Sequence, residues 1–194
     1  LIFYRMGDFY ELFFDDAVRG AKAFSITLTS RNKGEADEIP MAGVPYHQAH
    51  VYLGRALQAG LSVAIVEQMG DPAKCKGLVP REVVRVVTPG LVVEESSLTA
   101  TENHWLVVVE ADPAHGHGLA AFDHSTGELP ACAPQDPLSV FAELARFEPR
   151  EVLVAPGATE LLEVIGTVVP RAVVRRDTAA LDDEAALQTL SEHL

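Results

Sequence analysis

Apolar and polar positions along the chain repeat with two different periods, and the switches between them mark its elements. Leu1–Arg5 reads as a strand, and Phe9–Phe14 as a second extended stretch after the turn signal Gly7-Asp8. Asp15-Asp16 is expected to cap and charge the start of a helix over Ala17–Phe24, because acids are favoured in a first turn. Ile26–Thr29 is β-prone, and polar Ser30–Glu38 reads as a mobile loop carrying Arg31 and Lys33. Pro40 to His47, bracketed by prolines, reads as a compact turn. Gln48–Ala59 has helical spacing through Val51, Leu53, Ala56 and Leu57, with Gly60 as its stop. Leu61–Glu67 is a strand, Gly70-Asp71-Pro72 a turn, and Val83–Thr88 a strand ended by Pro89-Gly90.

The pattern changes after an acidic, polar stretch, Leu91–Asn103, which is taken as the boundary between a domain of residues 1–100 and another of residues 104–194. Trp105–Ala111 and Gly118–Asp123 are two strands joined by a hairpin loop from Asp112 to His117, and Ser125-Thr126-Gly127 turns into a third. Pro137–Phe147 is an amphipathic helix whose apolar stripe is expected through Leu138, Phe141, Leu144 and Ala145. A strand at Glu151–Ala155, a short helix at Thr159–Ile165, a strand at Ala172–Arg175 and a helix from Thr178 onward complete the reading. The fold class is α/β in two domains: a mixed sheet with helices, then three meandering strands followed by alternating helix and strand, a ribonuclease-H-like order cut short at its C-terminal end.

Chemistry concentrates in Phe9-Tyr10-Glu11-Leu12-Phe13-Phe14. In an extended segment, residues two apart share a face, so Phe9 and Glu11 pair a flat apolar ring with a carboxylate. Such a pair suits inspection of a base stack, the ring sliding into a weakened step and the acid reading the exposed base edge. Burial statistics alone favour core for an aromatic-rich run. Glu11 keeps the other reading open, because an acid in an apolar run is either turned to solvent or placed there for a purpose. Leu12, Phe13 and Phe14 are assigned to the core.

Other constellations carry less. No Gly-x-x-x-x-Gly-Lys-Ser/Thr phosphate loop occurs. His115-x-His117 lacks a third nearby ligand and reads as loop. Glu110, Asp112, Asp123 and Glu128 are the residues a magnesium-dependent, ribonuclease-H-like nuclease would use, although Asp123-His124-Ser125-Thr126-Gly127 also reads as an ordinary turn.

Composition sharpens the division of labour. No apolar run approaches the ~18 residues that would span a membrane. The start, Leu1-Ile2-Phe3-Tyr4-Arg5, has no leader-like composition and opens inside a strand, as expected of part of something longer. Cys75 and Cys132 have no ligand-like spacing, which fits a reducing, cytoplasmic setting without a disulfide framework or zinc. The net charge of −13 runs against a polyanionic partner, but residues 1–100 hold 10 basic and 12 acidic side chains (−2), and residues 101–194 hold 5 and 16 (−11). Arg31, Lys33, Lys74, Lys76, Arg81 and Arg85 all lie in the first part, which is therefore the candidate for contact with a polyanion.

Four segments carry a family resemblance: Gly7-Asp8-Phe9-Tyr10-Glu11-Leu12-Phe13 with Asp15-Asp16-Ala17; Pro40-Met41-Ala42-Gly43-Val44-Pro45-Tyr46-His47; Glu67-Gln68-Met69-Gly70-Asp71-Pro72; and Arg81 through Gly90. In this order they resemble the bacterial MutS family of DNA mismatch-repair proteins, with residues 1–100 similar to its mismatch-binding domain. Residues from Trp105 onward resemble its connector domain more loosely, most recognisably at Asp123-x-Ser125-Thr126-Gly127-Glu128. The resemblance implies that Phe9 wedges at a mispaired base from the minor groove, that Glu11 hydrogen-bonds that base, that Met41 lies near the groove and that Arg31 and Arg85 contact the backbone. It further implies mismatched double-stranded DNA as ligand, a MutL-type protein bound through the connector, and a homodimeric parent. ATP and magnesium would be bound by parts of the parent outside this stretch, which itself is no enzyme and needs no cofactor. A protein-interaction module without DNA affinity is the remaining alternative.

Overall fold

The computed structural model describes residues 1–70, 77, 79–91, 103–112, 115–177 and 183–193. The chain divides into two compact units, Leu1–Asn103 and His104–Leu194.

In the first unit a six-stranded sheet is built from β1 (Ile2–Met6), β2 (Phe9–Phe13), β3 (Thr29–Arg31), β4 (Ile39–Pro45), β5 (Val63–Gln68) and β6 (Arg81–Val87), in the order β3-β4-β2-β1-β5-β6. All pairings are antiparallel except β1 with β5. Alternation decides the two faces. Phe3, Tyr10, Leu12, Ala42, Val44, Val63, Ile65 and Val87 point to one side and form a core with Ala17, Ala21 and Phe24 of α1 (Phe14–Phe24) and Leu53 and Ala56 of α2 (Ala49–Gln58). Both helices therefore cover the same face.

Several local expectations are corrected. Pro40 to Pro45 lies within β4 rather than a turn. Pro40 sits beyond the stretch paired with β2, and Pro45 ends the strand, so neither proline removes an interior ladder bond. β3 begins at Thr29, and Ile26 instead donates its N–H to Ala21 at the end of α1. Asp15 and Asp16 lie in the first turn of α1 but do not cap it; the N-cap is Phe13, and Asp16 accepts the Ile2 N–H at 2.8 Å. Arg31 belongs to β3, and the Asn32–Glu38 loop is closed by Asn32 to Asp37 and Gly34 to Glu38 hydrogen bonds. Phe14 is no core residue: it is 63% exposed and turns the chain from β2 into α1 with φ of 53°, a left-handed conformation uncommon for a bulky side chain.

The second unit holds β7 (Trp105–Asp112), β8 (Gly116–Asp123), β9 (Ala131–Cys132), β10 (Glu151–Val154) and β11 (Val173–Arg176), in the order β11-β10-β7-β8-β9. β7, β8 and β9 form an antiparallel meander, while β10 is parallel to both β7 and β11. Asp112 and His117 pair within the strands rather than in the loop; Pro113 and Ala114 lie outside the described residues. α3 (Pro137–Phe147) starts at Asp136, whose carboxylate accepts the Ser139 N–H at 2.8 Å. Its buried stripe is Val140, Leu144 and Phe147, not Leu138, which is 78% exposed, nor Ala145. A 3-10 turn (Pro156–Leu161) and α4 (Leu162–Val168) share the core with α3, and α5 spans Asp183–His193. Among the described residues no helix is long and apolar enough to cross a membrane.

Candidate functional site

The face of the first sheet opposite α1 and α2 carries the residues of interest. Phe9 and Glu11 both point there, since Tyr10 and Leu12 between them are core. Gly7 and Asp8 form a two-residue hairpin loop with Met6 opposite Phe9, and Gly7 takes the positive φ of 57° that such loops demand at their first position. Phe9 thus stands at the rim, 47% exposed, flanked by Met6 on β1 and Pro45 on β4. Glu11 lies one pleat further in, between Tyr4 and Gly43. A Cβ on Gly43 would lie 3.8 Å from the Phe9 ring, so the glycine leaves space over which the ring leans.

Met41 is half-buried on this face, opposite Phe13, which also points here and packs edge-on to Tyr4 with ring centroids 6.4 Å apart. Phe13 is therefore a floor residue of the open face, not part of the helix-side core. Arg31, exposed and opposite Ile39, lies on the same face two strands from β2, roughly 10 Å at the usual strand spacing. Arg85 does not join them: it pairs with core residue Ile65, and so lies on the helix side of the sheet, three strands from β2. Lys74 and Lys76 lie outside the described residues, and Lys33 is exposed in the β3–β4 loop.

The structure places one more member of the basic set and adds a Tyr10–Glu67 pair that the sequence did not single out. A bulge at Val84 shifts the β5–β6 register, so that Val83 opposes Val66 and Arg81 opposes Gln68. That slip turns Arg81 onto the open face, where it lies 5.0 Å from the Tyr4 ring centroid and donates to the Met6 sulfur at 3.3 Å and the Arg5 carbonyl at 3.1 Å. On the helix side, the Tyr10 hydroxyl donates to the Glu67 carboxylate. Burial first, and that hydrogen bond second, raise the Tyr10 phenol above its usual range.

Residues 1–96, which make up most of this unit, match the family model described as MutS domain I. The whole chain is also similar to the DNA mismatch repair protein MutS of Sorangium cellulosum (48% identity over 98% of this chain and 22% of that protein) and of Myxococcus xanthus (42% over all of this chain and 22% of that protein). The MutS of Streptococcus agalactiae is 48% identical over 82% of this chain and 18% of that protein. The chain belongs to the MutS family. It spans about a fifth of the length of these curated relatives, at their N-terminal part.

The likeness to MutS proteins extends over the second unit, where the four carboxylates weighed as a metal site are not gathered. Asp123 opposes Trp105 at one end of the β7–β8 hairpin, and Asp112 opposes Gly116 at the other, about 24 Å away along seven strand steps. Glu110 is five steps from Trp105, roughly 17 Å, whereas two-metal catalysis needs ions ~4 Å apart. Asp123 is instead a structural residue. Fully buried, its carboxylate accepts from the Ser125 N–H (2.8 Å), the Ser125 hydroxyl (2.6 Å) and the His104 N–H (3.0 Å). Burial pushes its pKa up, but the hydrogen bonds from Ser125, His104 and Thr126 outweigh burial and hold it below the ordinary carboxylate value.

A lowered folded-state pKa means that Asp123 stabilises the fold above the unfolded carboxyl value of ~3.9, and that this is lost as pH falls through the folded value. Asp123→Asn is expected to cost about 1–3 kcal/mol at neutral pH, because an amide cannot accept all three donors. It should also flatten the acid limb of the stability profile. Denaturant titrations between pH 2 and 7 check both, and an unchanged acid limb would count against this role.

Proposed function

We propose that the open face of the first unit reads mispaired positions in double-stranded DNA from the minor groove, with Phe9 as wedge and Glu11 as the group that questions the base edge. The observation that carries this is the half-exposed Phe9 at a hairpin rim, sharing a face with an acid in a sheet whose other face carries the core and both helices. Opening a base step costs a few kcal/mol, and less where pairing is already lost, so an inserted ring selects sites by deformability. A carboxylate can only accept. The minor-groove edges of A·T pairs offer acceptors and repel it, as do the phosphates, whereas a base without its partner presents N–H donors. Glu11 thus weakens binding to paired DNA, through the phosphates at every step and through the base edges at A·T pairs, and recovers that loss at a mispair.

Met41 is proposed to line the groove and Arg31 to touch a phosphate at the sheet's β3 edge. Arg85 would touch the DNA backbone only by a path round the β6 edge, because it lies on the helix side of the sheet. Near-neutral charge in the first unit points to weak binding by the isolated chain, with affinity in the full-length protein coming from elsewhere. The second unit is proposed as a ribonuclease-H-like connector: the β11-β10-β7-β8-β9 order, a meander followed by two parallel strands with helices between, supports this. Its net −10 (5 basic and 15 acidic side chains over residues 104–194) suits a protein-facing surface, including one for a MutL-type partner, and ATP hydrolysis with magnesium is assigned to other parts of a homodimeric protein.

Glu11→Ala in the full-length protein tests the reading. Affinity for a matched duplex should rise while preference for a G·T duplex narrows, measured by fluorescence anisotropy at fixed salt. Equal changes on both duplexes would overturn the role of Glu11.

A further inference from the structure

The hairpin loop that precedes Phe9 is held from outside the open face. Its two carbonyls are both engaged: Gly7 accepts from the Arg5 Nε at 2.6 Å, and Asp8 accepts from the Tyr46 backbone N–H at 3.0 Å. The two donors are themselves joined, since the Arg5 guanidinium lies 3.7 Å from the Tyr46 ring centroid, the closest cation–ring distance among the described residues. Arg5 also stands 5.5 Å from the Tyr10 ring, whose hydroxyl is tied to Glu67 on β5. Arg5 and Tyr10 are cross-strand partners, and Tyr10 is buried in the core, so this assembly lies on the side of the sheet opposite Phe9 and Glu11.

We propose that Arg5 and Tyr46 are positioning residues for mismatch recognition: their stack fixes the Gly7-Asp8 loop and so presents the Phe9 ring at one angle before DNA arrives. The inference rests on the mismatch-reading role of Phe9 given above. A ring that must enter a partly opened base step gains from being ordered in advance, because a loose hairpin would lose conformational entropy on binding. The guanidinium is suited to the task because it stacks flat on tyrosine while its Nε–H remains free to reach the Gly7 carbonyl; an ammonium cannot do both. Tyr46 contributes its ring to the stack and its backbone to Asp8, so only the first is removed by a side-chain change.

The test compares Tyr46→Leu, Tyr46→Phe and Arg5→Lys in the full-length protein, with affinities for a G·T duplex and its matched twin at several salt concentrations. Tyr46→Leu and Arg5→Lys are expected to lower the mismatch-over-matched ratio about fivefold, the size of one stacked cation–ring contact. Tyr46→Phe should keep the parent ratio. Matched-duplex affinity and its salt slope should be unchanged throughout, because no phosphate contact is removed. Hydrogen exchange of the hairpin amides should quicken in Tyr46→Leu alone among the Tyr46 variants. An unchanged ratio in Tyr46→Leu, or an equal fall on both duplexes, would overturn the proposal. So would a shallower salt slope in an Arg5→Gln variant, which removes the charge; that result would make Arg5 a phosphate contact. Phe9→Ala, run beside them, separates the two readings. If it erases the preference while the Arg5 and Tyr46 variants do not, only the positioning role falls; if it leaves the preference intact, the mismatch-reading role of Phe9 falls.

Discussion

Phe9→Ala is expected to remove most of the preference of the full-length protein for a G·T or unpaired-T duplex over its matched twin. Stacking of a base on an aromatic side chain is worth ~1–3 kcal/mol, which corresponds to roughly a 5- to 150-fold loss in the affinity ratio. The loss should fall on the mismatched duplex, since a fully paired step costs more to open and gains less from the ring. Folding should scarcely change, because the ring is 47% exposed at the hairpin rim and its removal opens no core cavity. Competition binding with both duplexes, alongside a thermal melt of each variant, reads the two effects separately. Full retention of the preference with an intact fold would sink the wedge assignment.

Gly157→Ala is expected to be the most damaging small substitution in the second unit. Gly157 lies in the 3-10 turn that follows β10, and a Cβ there would fall inside the contact radius of the Ala111 carbonyl oxygen and 3.1 Å from a Glu110 carboxylate oxygen. The turn is already fixed by the Ala155 N–H to Val109 hydrogen bond of 2.9 Å, so the backbone has little room to retreat. Overpacking against main chain should cost about 2–4 kcal/mol. The paired control is Gly166→Ala in α4, where a Cβ meets nothing within 4 Å. That change should stabilise by up to ~1 kcal/mol through helix propensity. The chain's single tryptophan, Trp105, packs on Phe147 in the second unit with ring centroids 5.2 Å apart, so its fluorescence follows that unit. Denaturation curves in which Gly157→Ala matches the parent would refute the close approach.

Much of the open face was legible because it depends on a period of two. Phe9 and Glu11 share a side of β2 whichever strands flank it, and Leu12 is buried for the same reason. The neighbours were harder. Two prolines made residues 40 to 45 resemble a turn, and only the pairing of Met41–Pro45 with β2 shows that both fall where a missing N–H costs nothing. Phe13 and Phe14 follow Leu12 in one apolar run, yet alternation turns Phe13 to the open face and the left-handed backbone at Phe14 turns that ring outward. In α3 the composition permitted two apolar stripes. Docking on β7 and β8 selected Val140, Leu144 and Phe147, leaving Leu138 in solvent.

Charge was less legible still. Arg31, Arg81 and Arg85 look equivalent in sequence, but strand parity and one inserted residue at Val84 separate them: Arg31 and Arg81 on the open face, Arg85 on the helix side. Asp123 shows the reverse. Its spacing to Ser125 already described a hydrogen-bonded turn, and the structure adds the His104 N–H, which no local pattern contains.

By itself the sequence determined the strands and helices with strong periodicity, the sidedness of Phe9 and Glu11, and membership of the MutS family, because these depend on residues near one another or on motifs read in order. Tertiary structure alone decided which cations reach the open face, which carboxylates stay apart, and that Arg5 and Tyr46 meet beneath the hairpin, 41 positions apart in the chain. Those outcomes hang on strand order and register, which are set by long-range packing of each sheet on the helices of its own unit and leave no trace in local alternation.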